Sequence, residues 1–186
     1  MIGYAFTGSF CTLSRALSSL TALSESGLDI VPIMSENVYS TDTRFFKAEE
    51  FKNRVRDICG REIIHTITEA EPLGPKTPLE ALIIAPCTGN TLAKLASGIT
   101  DTSVTMAAKA HLRCDRPLLI ALASNDALSQ NLGNISKLLT RKAVGFVPLV
   151  QDDPSGKPHS LVAKMEMIPE CFELLMRSGQ KRPLFL

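Results

Sequence analysis

Short, unbroken apolar runs alternate with amphipathic stretches along most of the chain. The apolar runs fall at Ile2–Phe6 and at residues 28–34, 82–85, 117–123 and 145–150. Runs of this length are typical of strands that are buried on both faces of a parallel sheet. Residues 13–23, by contrast, place four leucines at helical spacing. We therefore predict an α/β fold with three layers, in which helices cover both faces of a Rossmann-like parallel sheet.

Residues 82–98 are the stretch around which we expect the rest of the chain to be organised. The strand is followed by Pro86, which lacks an N–H group and is expected to end the ladder. Helical spacing starts at about Thr91. The small polar elbow between them consists of Cys87, Thr88, Gly89, Asn90 and Thr91. This order places backbone N–H groups at the carboxyl edge of the sheet, where open α/β folds bind anionic ligands. The alternative is an ordinary strand–helix connection with a helix cap.

A similar elbow follows the first strand, where Thr7, Gly8 and Ser9 precede a helix that Gly27 closes. Gly8 would let the backbone approach a phosphate, and the two hydroxyls could donate to it. The spacing of the glycines does not match a dinucleotide fingerprint. Ser35, after the second strand, could be another phosphate contact. The alternatives are that Ser9 caps the first helix and that Ser35 is a turn residue.

The third elbow is Ser124, Asn125 and Asp126, which follow the strand at residues 117–123. The planar amide of Asn125 offers one acceptor and two donors, which suits a flat heterocycle. Asn and Asp also lead the N-cap position, so either Asn125 or Asp126 could instead cap a helix that runs through Leu128 and Leu132.

Other segments carry weaker signals. We predict a strand-like segment at residues 62–70, a structured pocket-shaping loop at 71–78, and a closing helix at 165–177. His65, which is isolated among apolar neighbours, is interpreted as structural. Asp152 and Asp153 lie in a polar loop at 151–159, but no ligand spacing supports a metal site there.

Composition narrows the classes of function. The 186 residues carry a formal net charge of +1 without a basic run, so we expect no nucleic-acid partner. No apolar stretch is long enough for a membrane span, and the five scattered cysteines favour neither disulfides nor a zinc site. We expect one domain over residues 1–186, and a cytoplasmic protein.

Two motifs resemble those of the flavin-dependent cysteine-decarboxylase-type flavoproteins. PCTGNT, at residues 86–91, is similar to the PASANT motif of that family, and LASNDAL, at 122–128, resembles a degenerate PxMNxxMW motif. Residues 92–101 also resemble the flavin prenyltransferase branch. The resemblance implies a flavodoxin-like fold and an FMN site. It implies an FMN phosphate at Thr7, Gly8, Ser9 and Ser35. The ribityl end would then lie along Pro86, Cys87, Thr88, Gly89, Asn90 and Thr91, and the ring near Ser124 and Asn125.

The chain departs from the family at its catalytic positions. The decarboxylases carry a histidine just ahead of the PASANT strand, where this chain has the loop at 71–78. The Met and Trp of PxMNxxMW are absent, and so is the Arg-Glu pair that the prenyltransferases have in place of Ser124 and Asn125. We therefore transfer neither decarboxylation nor flavin prenylation.

One member of the family is similar across nearly the full length, in segments at residues 6–9, 40–45, 70–76, 84–91, 106–110, 124–128, 151–154 and 161–165. This resemblance implies an oxidoreductase subunit in the mother cell of a spore-forming bacterium. It implies a partner subunit that binds NAD(P), a small dicarboxylate substrate, and a homo-oligomer, trimeric or dodecameric. Asn125 would orient a ring, and Lys76, Lys157 or His159 could balance the carboxylates. The alternatives are a non-catalytic activator of the partner subunit or a flavin-dependent decarboxylase.

Overall fold

The computed structural model describes residues 1–177 and 179–186. Its strands are β1 (Ile2–Phe6), β2 (Ile30–Met34), β3 (Leu82–Thr88), β4 (Leu118–Ser124), β5 (Val144–Phe146), β6 (Leu149–Val150) and β7 (Leu161–Ala163). Its helices are α1 (Leu13–Glu25), α2 (Glu36–Ser40), α3 (Ala48–Cys59), α4 (Ile67–Ala70), α5 (Gly89–Ser97), α6 (Ser103–Leu112), α7 (Leu132–Leu139) and α8 (Ile168–Met176). Short 3-10 turns at Phe10–Thr12 and Met165–Met167 precede α1 and α8.

The described strands form one sheet in the order β2-β1-β3-β4, which β7 and β6 extend. The pairs β1–β2, β1–β3, β3–β4 and β4–β5 are parallel, whereas β7 is antiparallel to both β4 and β6. The parallel part has the 2-1-3-4-5 order of flavodoxin-like doubly wound folds. The predicted fold class is therefore confirmed, with a short antiparallel addition at one edge.

Two strands share the outer edge of β4. Its first half, from Leu118 to Ile120, pairs with β5, and its end, Ala123 and Ser124, pairs with β7. The loop that precedes β7 is thereby brought to the carboxyl end of β4. This placement puts a polar segment, residues 151–159, beside the third elbow.

The sheet is buried between two helical layers because its strands are apolar throughout. All residues of β1, β2 and β4 are buried. Helix α1 packs against α3 and α8, and α5 packs against α6 and α7. The buried hydroxyl of Tyr4 donates to the carbonyl of Ala16 at 2.8 Å, so this polar group in the core is satisfied. None of the helices in the described part of the chain is long and apolar enough to cross a membrane.

Pro86 does not end its strand, contrary to the sequence-based prediction. The Ala85–Pro86 peptide is cis, the register shifts between Ile84 and Cys87, and pairing with β4 resumes at Cys87 and Thr88. A proline cannot donate to a ladder, but its carbonyl still accepts, and here it accepts from Thr7. The strand therefore ends at Thr88, three residues later than predicted, and α5 begins at Gly89.

Residues 62–70 form a strand only at one point, the bridge between Ile33 and Ile64. A capping box of Thr66 and Glu69 then starts the short helix α4, which the prediction of a strand missed. The loop at 71–78 leads into the amino end of β3, so it lies at the edge of the sheet opposite the three elbows.

The end of the chain also differs from the prediction. Residues 145–150 divide into β5 and β6, and the prediction missed β7, which is only three residues long. Residues 125–131 form turns instead of a helix, and α7 begins at Leu132.

Candidate functional site

A cleft of about 380 Å³ lies at the carboxyl ends of β1, β3 and β4. Its lining includes residues from all three elbows and from two loops at the rim: Gly8, Ser9, Phe10, Cys11, Thr12, Arg44, Phe45, Thr88, Ala123, Ser124, Asn125, Asp152, Lys157 and Val162. Of the twelve residues predicted for the site, five line this cleft: Gly8, Ser9, Thr88, Ser124 and Asn125.

Thr7 joins the first two elbows from below the cleft. Its hydroxyl donates to the Pro86 carbonyl at 2.8 Å and accepts from the Thr88 amide at 2.9 Å. The residue is 1% exposed. Because these two hydrogen bonds use its hydroxyl, Thr7 supports the cleft without lining it.

Gly8 and Ser9 form the cleft wall at the end of β1. A Cβ on Gly8 would come no closer than 3.6 Å to Phe10, an ordinary van der Waals contact, so crowding does not require glycine at this position. The chain makes a 3-10 turn before α1, and the Ser9 side chain makes no capping hydrogen bond. The alternative in which Ser9 caps the first helix is therefore wrong, and its hydroxyl remains available to a ligand.

The Ser35 hydroxyl is buried without a hydrogen-bond partner among the described residues. Its backbone N–H donates to the Phe6 carbonyl at 3.0 Å, which holds Ser35 beside the end of β1. A buried hydroxyl normally has a partner, because leaving it unpaired costs free energy. Ser35 is outside the cleft lining, so an anionic group would have to approach it from the neighbouring β1 elbow.

Thr88 caps α5: its hydroxyl accepts from the Thr91 amide at 3.2 Å and donates to the Thr91 hydroxyl at 3.0 Å. Thr91 is buried behind it, whereas Asn90 is exposed and outside the cleft lining. Cys87 is fully buried, and burial raises the pKa of its thiol. A protonated, inaccessible thiol has a packing role and no nucleophilic one.

Gly89 allows the start of α5 to lie directly against the β4 elbow. A Cβ at this position would fall 2.4 Å from Ser124 Oγ and 2.7 Å from Asn131 Nδ2. It would also lie 2.9 Å from Asp126 Oδ1. No larger residue fits unless these side chains move.

Asp126 fixes the β4 elbow. Its carboxylate accepts from the Ser124 hydroxyl and, at 2.8 Å, from Asn131 Nδ2, and these bonds hold its pKa below the usual range. Because Ser124 donates to Asp126, its oxygen can only accept from a ligand. Asn125, between Ser124 and Asp126 in the chain, is exposed and lines the cleft. The alternative in which Asn125 or Asp126 caps a helix is wrong, because α7 starts after Asn131.

The loop before β7 adds an ion pair to the rim. Lys157 Nζ lies 3.0 Å from Asp152 Oδ2. Hydrogen bonding lowers the pKa of Asp152, and the Asp152 carboxylate raises the pKa of Lys157. No group of three potential metal ligands occurs in residues 1–177 and 179–186. Lys76 lies in the loop at the opposite edge, and His159 is outside the cleft lining.

His65 is also outside the lining. Its ring stacks on Tyr39 with the centroids 3.7 Å apart, and its Nδ1 lies 3.3 Å from Glu69 Oε2. These contacts agree with the structural role that we predicted. Sequence reasoning did not select Arg44 or Phe45, which reach the cleft from the loop between α2 and α3, and it missed Asn131 because residues 125–131 were expected to be helical.

The chain belongs to the flavoprotein family: the family model described as Flavoprotein matches residues 1–177. It is 42% identical over 185 residues to the B subunit of dipicolinate synthase from Bacillus subtilis (strain 168), a match that covers 100% of this chain and 92% of the relative. The crystal structure of the corresponding B subunit from Bacillus halodurans C superposes with a TM-score of 0.91 and 40% identity. It covers 100% of this chain and 95% of that one.

The fold is shared more widely. The FMN-dependent cysteine decarboxylase SpaF has a TM-score of 0.68 at 18% identity, with 95% of each chain covered. At such a low identity, the similarity shows a common fold and gives no information about a shared reaction. The resemblance to a flavoprotein family that the two sequence motifs indicated is confirmed, as is the closer similarity to a single member.

The residues of the cleft fit an FMN group. Gly8 and Ser9 line the cleft, the Ser9 hydroxyl is uncommitted to a cap, and the Ser35 hydroxyl is buried without a protein partner among the described residues. These features suit a phosphate at the β1 elbow. At the other end, Ser124 and Asn125 present an acceptor and a planar amide to a ring.

Proposed function

We propose that this chain is the B subunit of a dipicolinate synthase. Together with an A subunit it would oxidise a dihydrodipicolinate-type precursor to pyridine-2,6-dicarboxylate. The observation that carries the proposal is the 42% identity to a B subunit over the whole chain. The cleft shared by three strand ends supports it as the place where a planar, anionic molecule binds.

FMN, when bound, would supply a two-electron acceptor. We assign its phosphate to Gly8, Ser9 and Ser35 and its ring to Ser124 and Asn125. The carboxylate of Asp126 lies beside Gly89, at the start of α5, where it already meets the positive end of the helix dipole. We therefore place the phosphate at the β1 elbow, away from the Asp126 carboxylate; the carboxylate of Asp152, which lines the cleft, is paired with Lys157.

The proposal includes partners and a setting. The A subunit would bind NAD(P), and the pair would act in the cytoplasm of the mother cell during sporulation. We further propose a homo-oligomer, trimeric or dodecameric. Exposed apolar side chains at Ile99, Leu132 and Phe185 are 45–50% accessible and offer surface for such contacts.

A second candidate is a non-catalytic activator of the A subunit. It is favoured by the absence of histidine from the described cleft lining and by the interactions of the nearby acidic groups. Asp152, in the lining, pairs with Lys157, and Asp126, outside the lining and behind Ser124, accepts two hydrogen bonds. The same absence weighs against an independent decarboxylase.

Reconstitution with the A subunit separates these functions. Dipicolinate formation is measured with both subunits, with FMN omitted after flavin removal, and with the nicotinamide omitted. Loss of product without FMN supports a catalytic flavin site on this chain. Full activity of a flavin-free complex supports the activator, and formation of no dipicolinate under any condition contradicts the proposed function.

A further inference from the structure

A tight turn between α2 and α3 presents two side chains to the cleft. The Thr43 hydroxyl accepts from the amides of Phe45 and Phe46, each at 3.2 Å, and the Thr43 amide donates to the Phe46 carbonyl at 2.9 Å. Asp42 accepts from the Ala48 amide at 2.9 Å. The turn is therefore held by its own hydrogen bonds and by the start of α3, and its tip residues line the cleft.

Arg44, at this tip, is oriented by its neighbour. Its Cζ lies 4.8 Å from the centroid of the Phe45 ring, within the range of a cation–π contact. A guanidinium that lies over a ring keeps its N–H groups at its edge, where they can form two parallel bonds to a carboxylate. Stacking therefore prepares Arg44 for an anion without using its donors.

The charge of Arg44 is not balanced by the protein. Lys157, the other cation of the cleft lining, is paired with Asp152. Within residues 1–177 and 179–186, no carboxylate lies within 4.0 Å of the Arg44 guanidinium. Arg44 is therefore a cation of the cleft lining without an anionic partner among the described residues of the protein. It lines the same cavity as Ser124 and Asn125.

We propose that Arg44 binds a carboxylate of the planar dicarboxylate and selects it over uncharged analogues. The choice of ligand rests on the proposed function. The cation itself is a feature of this cleft, and its alternative occupant would be the phosphate of FMN. Binding measurements on the full chain distinguish the two sources of negative charge.

The test is a titration of the FMN-treated chain with pyridine-2,6-dicarboxylate and with the neutral pyridine-2,6-dicarboxamide, by calorimetry in chelator-treated buffer. The variants are Arg44→Gln and Arg44→Lys. The control is Arg54→Gln, an exposed arginine of α3 outside the cleft. We expect Arg44→Gln to weaken dicarboxylate binding about tenfold or more, as loss of a charge-assisted pair does, and to leave dicarboxamide binding unchanged. Arg44→Lys should be intermediate, and Arg54→Gln should match the wild type.

FMN and riboflavin are titrated in parallel on the same variants. If Arg44→Gln weakens FMN about tenfold, spares riboflavin and leaves the dicarboxylate unchanged, Arg44 holds the flavin phosphate and the proposal is overturned. Equal dicarboxylate affinities for Arg44→Gln and wild type also overturn it, as does a wild type that binds no dicarboxylate.

The proposed function is tested separately, by measuring dipicolinate formation by the reconstituted pair of subunits. If the reconstituted pair makes dipicolinate and Arg44→Gln binds the dicarboxylate as the wild type does, the proposed function stands and Arg44 is not the carboxylate contact. If the pair makes no dipicolinate but Arg44→Gln binds the dicarboxylate about tenfold more weakly, Arg44 remains the carboxylate contact and only the proposed function is contradicted.

Discussion

The hydroxyl of Thr7, at the end of β1, donates to the carbonyl of Pro86, within β3, over 2.8 Å. The same oxygen accepts from the Thr88 amide at 2.9 Å. One buried side chain thus ties the first elbow to the second. The cleft exists as a single cavity because these strand ends are held together and because Gly89 lets the third elbow approach the second.

Replacing Thr7 with valine tests this tie. Thr7→Val keeps the shape of the side chain but leaves the Thr88 amide without its partner, while the Pro86 carbonyl keeps only its bond from the backbone amide of residue 7. We expect it to lower the free energy of unfolding by about 1–3 kcal/mol, measured by urea denaturation. Thr7→Ser, which retains the hydroxyl, should lose less. Equal stability of Thr7→Val and the wild type would contradict the role assigned to this hydroxyl.

Replacing Gly89 with alanine tests the close approach of α5 to the β4 elbow. The new Cβ would fall 2.4 Å from Ser124 Oγ, so we expect a loss of about 1–3 kcal/mol in stability and weaker FMN binding. The matched control is Gly133→Ala in α7, where, among the described atoms, nothing beyond the chain neighbours and the helix's own backbone lies within 4 Å of the added Cβ. That change should be neutral or stabilise by up to about 1 kcal/mol. Indistinguishable effects of the two changes would exclude close packing at Gly89.

Asp126 should make stability depend on pH. Hydrogen bonds from Ser124 and Asn131 lower its pKa in the folded state, so the ionised carboxylate stabilises the fold. This contribution is complete above the unfolded pKa, about 3.9, and is lost as the pH falls through the lower folded value. Melting temperatures of the wild type and Asp126→Asn from pH 2.5 to 7 should differ most near pH 7 and converge at the acid end.

The control for that series is Asp57→Asn, an exposed residue of α3. Its melting temperature should follow the wild type across the range. A constant difference between Asp126→Asn and wild type at every pH would show that the charge of Asp126 has no stabilising role in the elbow.

Asn125 should act in the reaction without supporting the fold. It is exposed at the cleft, so Asn125→Ala should leave the melting temperature within about 1 °C, since surface changes have small effects. We expect the activity of the reconstituted complex to fall about tenfold or more, as a ring-orienting hydrogen bond is lost. Gln130→Ala, an exposed change in the same turn region, should be fully active. Wild-type activity of Asn125→Ala would contradict the assignment.

Sequence reasoning worked best where burial alone decides the structure. The runs that became β1 and β4 are apolar on both faces, and this is sufficient to place them in the centre of a parallel sheet. The division of residues 145–150 into β5 and β6 and the short strand β7 were not predicted, because two or three residues give no periodicity. The continuation of β3 past Pro86 depends on tertiary pairing with β4, which local propensity does not contain.

The site was predicted in part for the same reason. Polar residues that directly follow buried strands were found, and Ser9, Thr88 and Asn125 do line one cleft. Arg44 and Asp152 reach it from loops whose position depends on α3 and on β7. A pattern of adjacent residues cannot reveal such contacts, and the pocket-shaping loop that was predicted at 71–78 lies at the opposite edge of the sheet.

The central claim, that three strand ends form one flavin site, is tested most directly by titrating FMN and riboflavin into the purified chain and following flavin fluorescence. We expect saturable binding of one FMN per chain. Ser9→Ala should weaken FMN but not riboflavin, and Asn125→Ala should weaken both. A wild-type chain that binds no FMN, or FMN binding that neither substitution changes, would contradict the account.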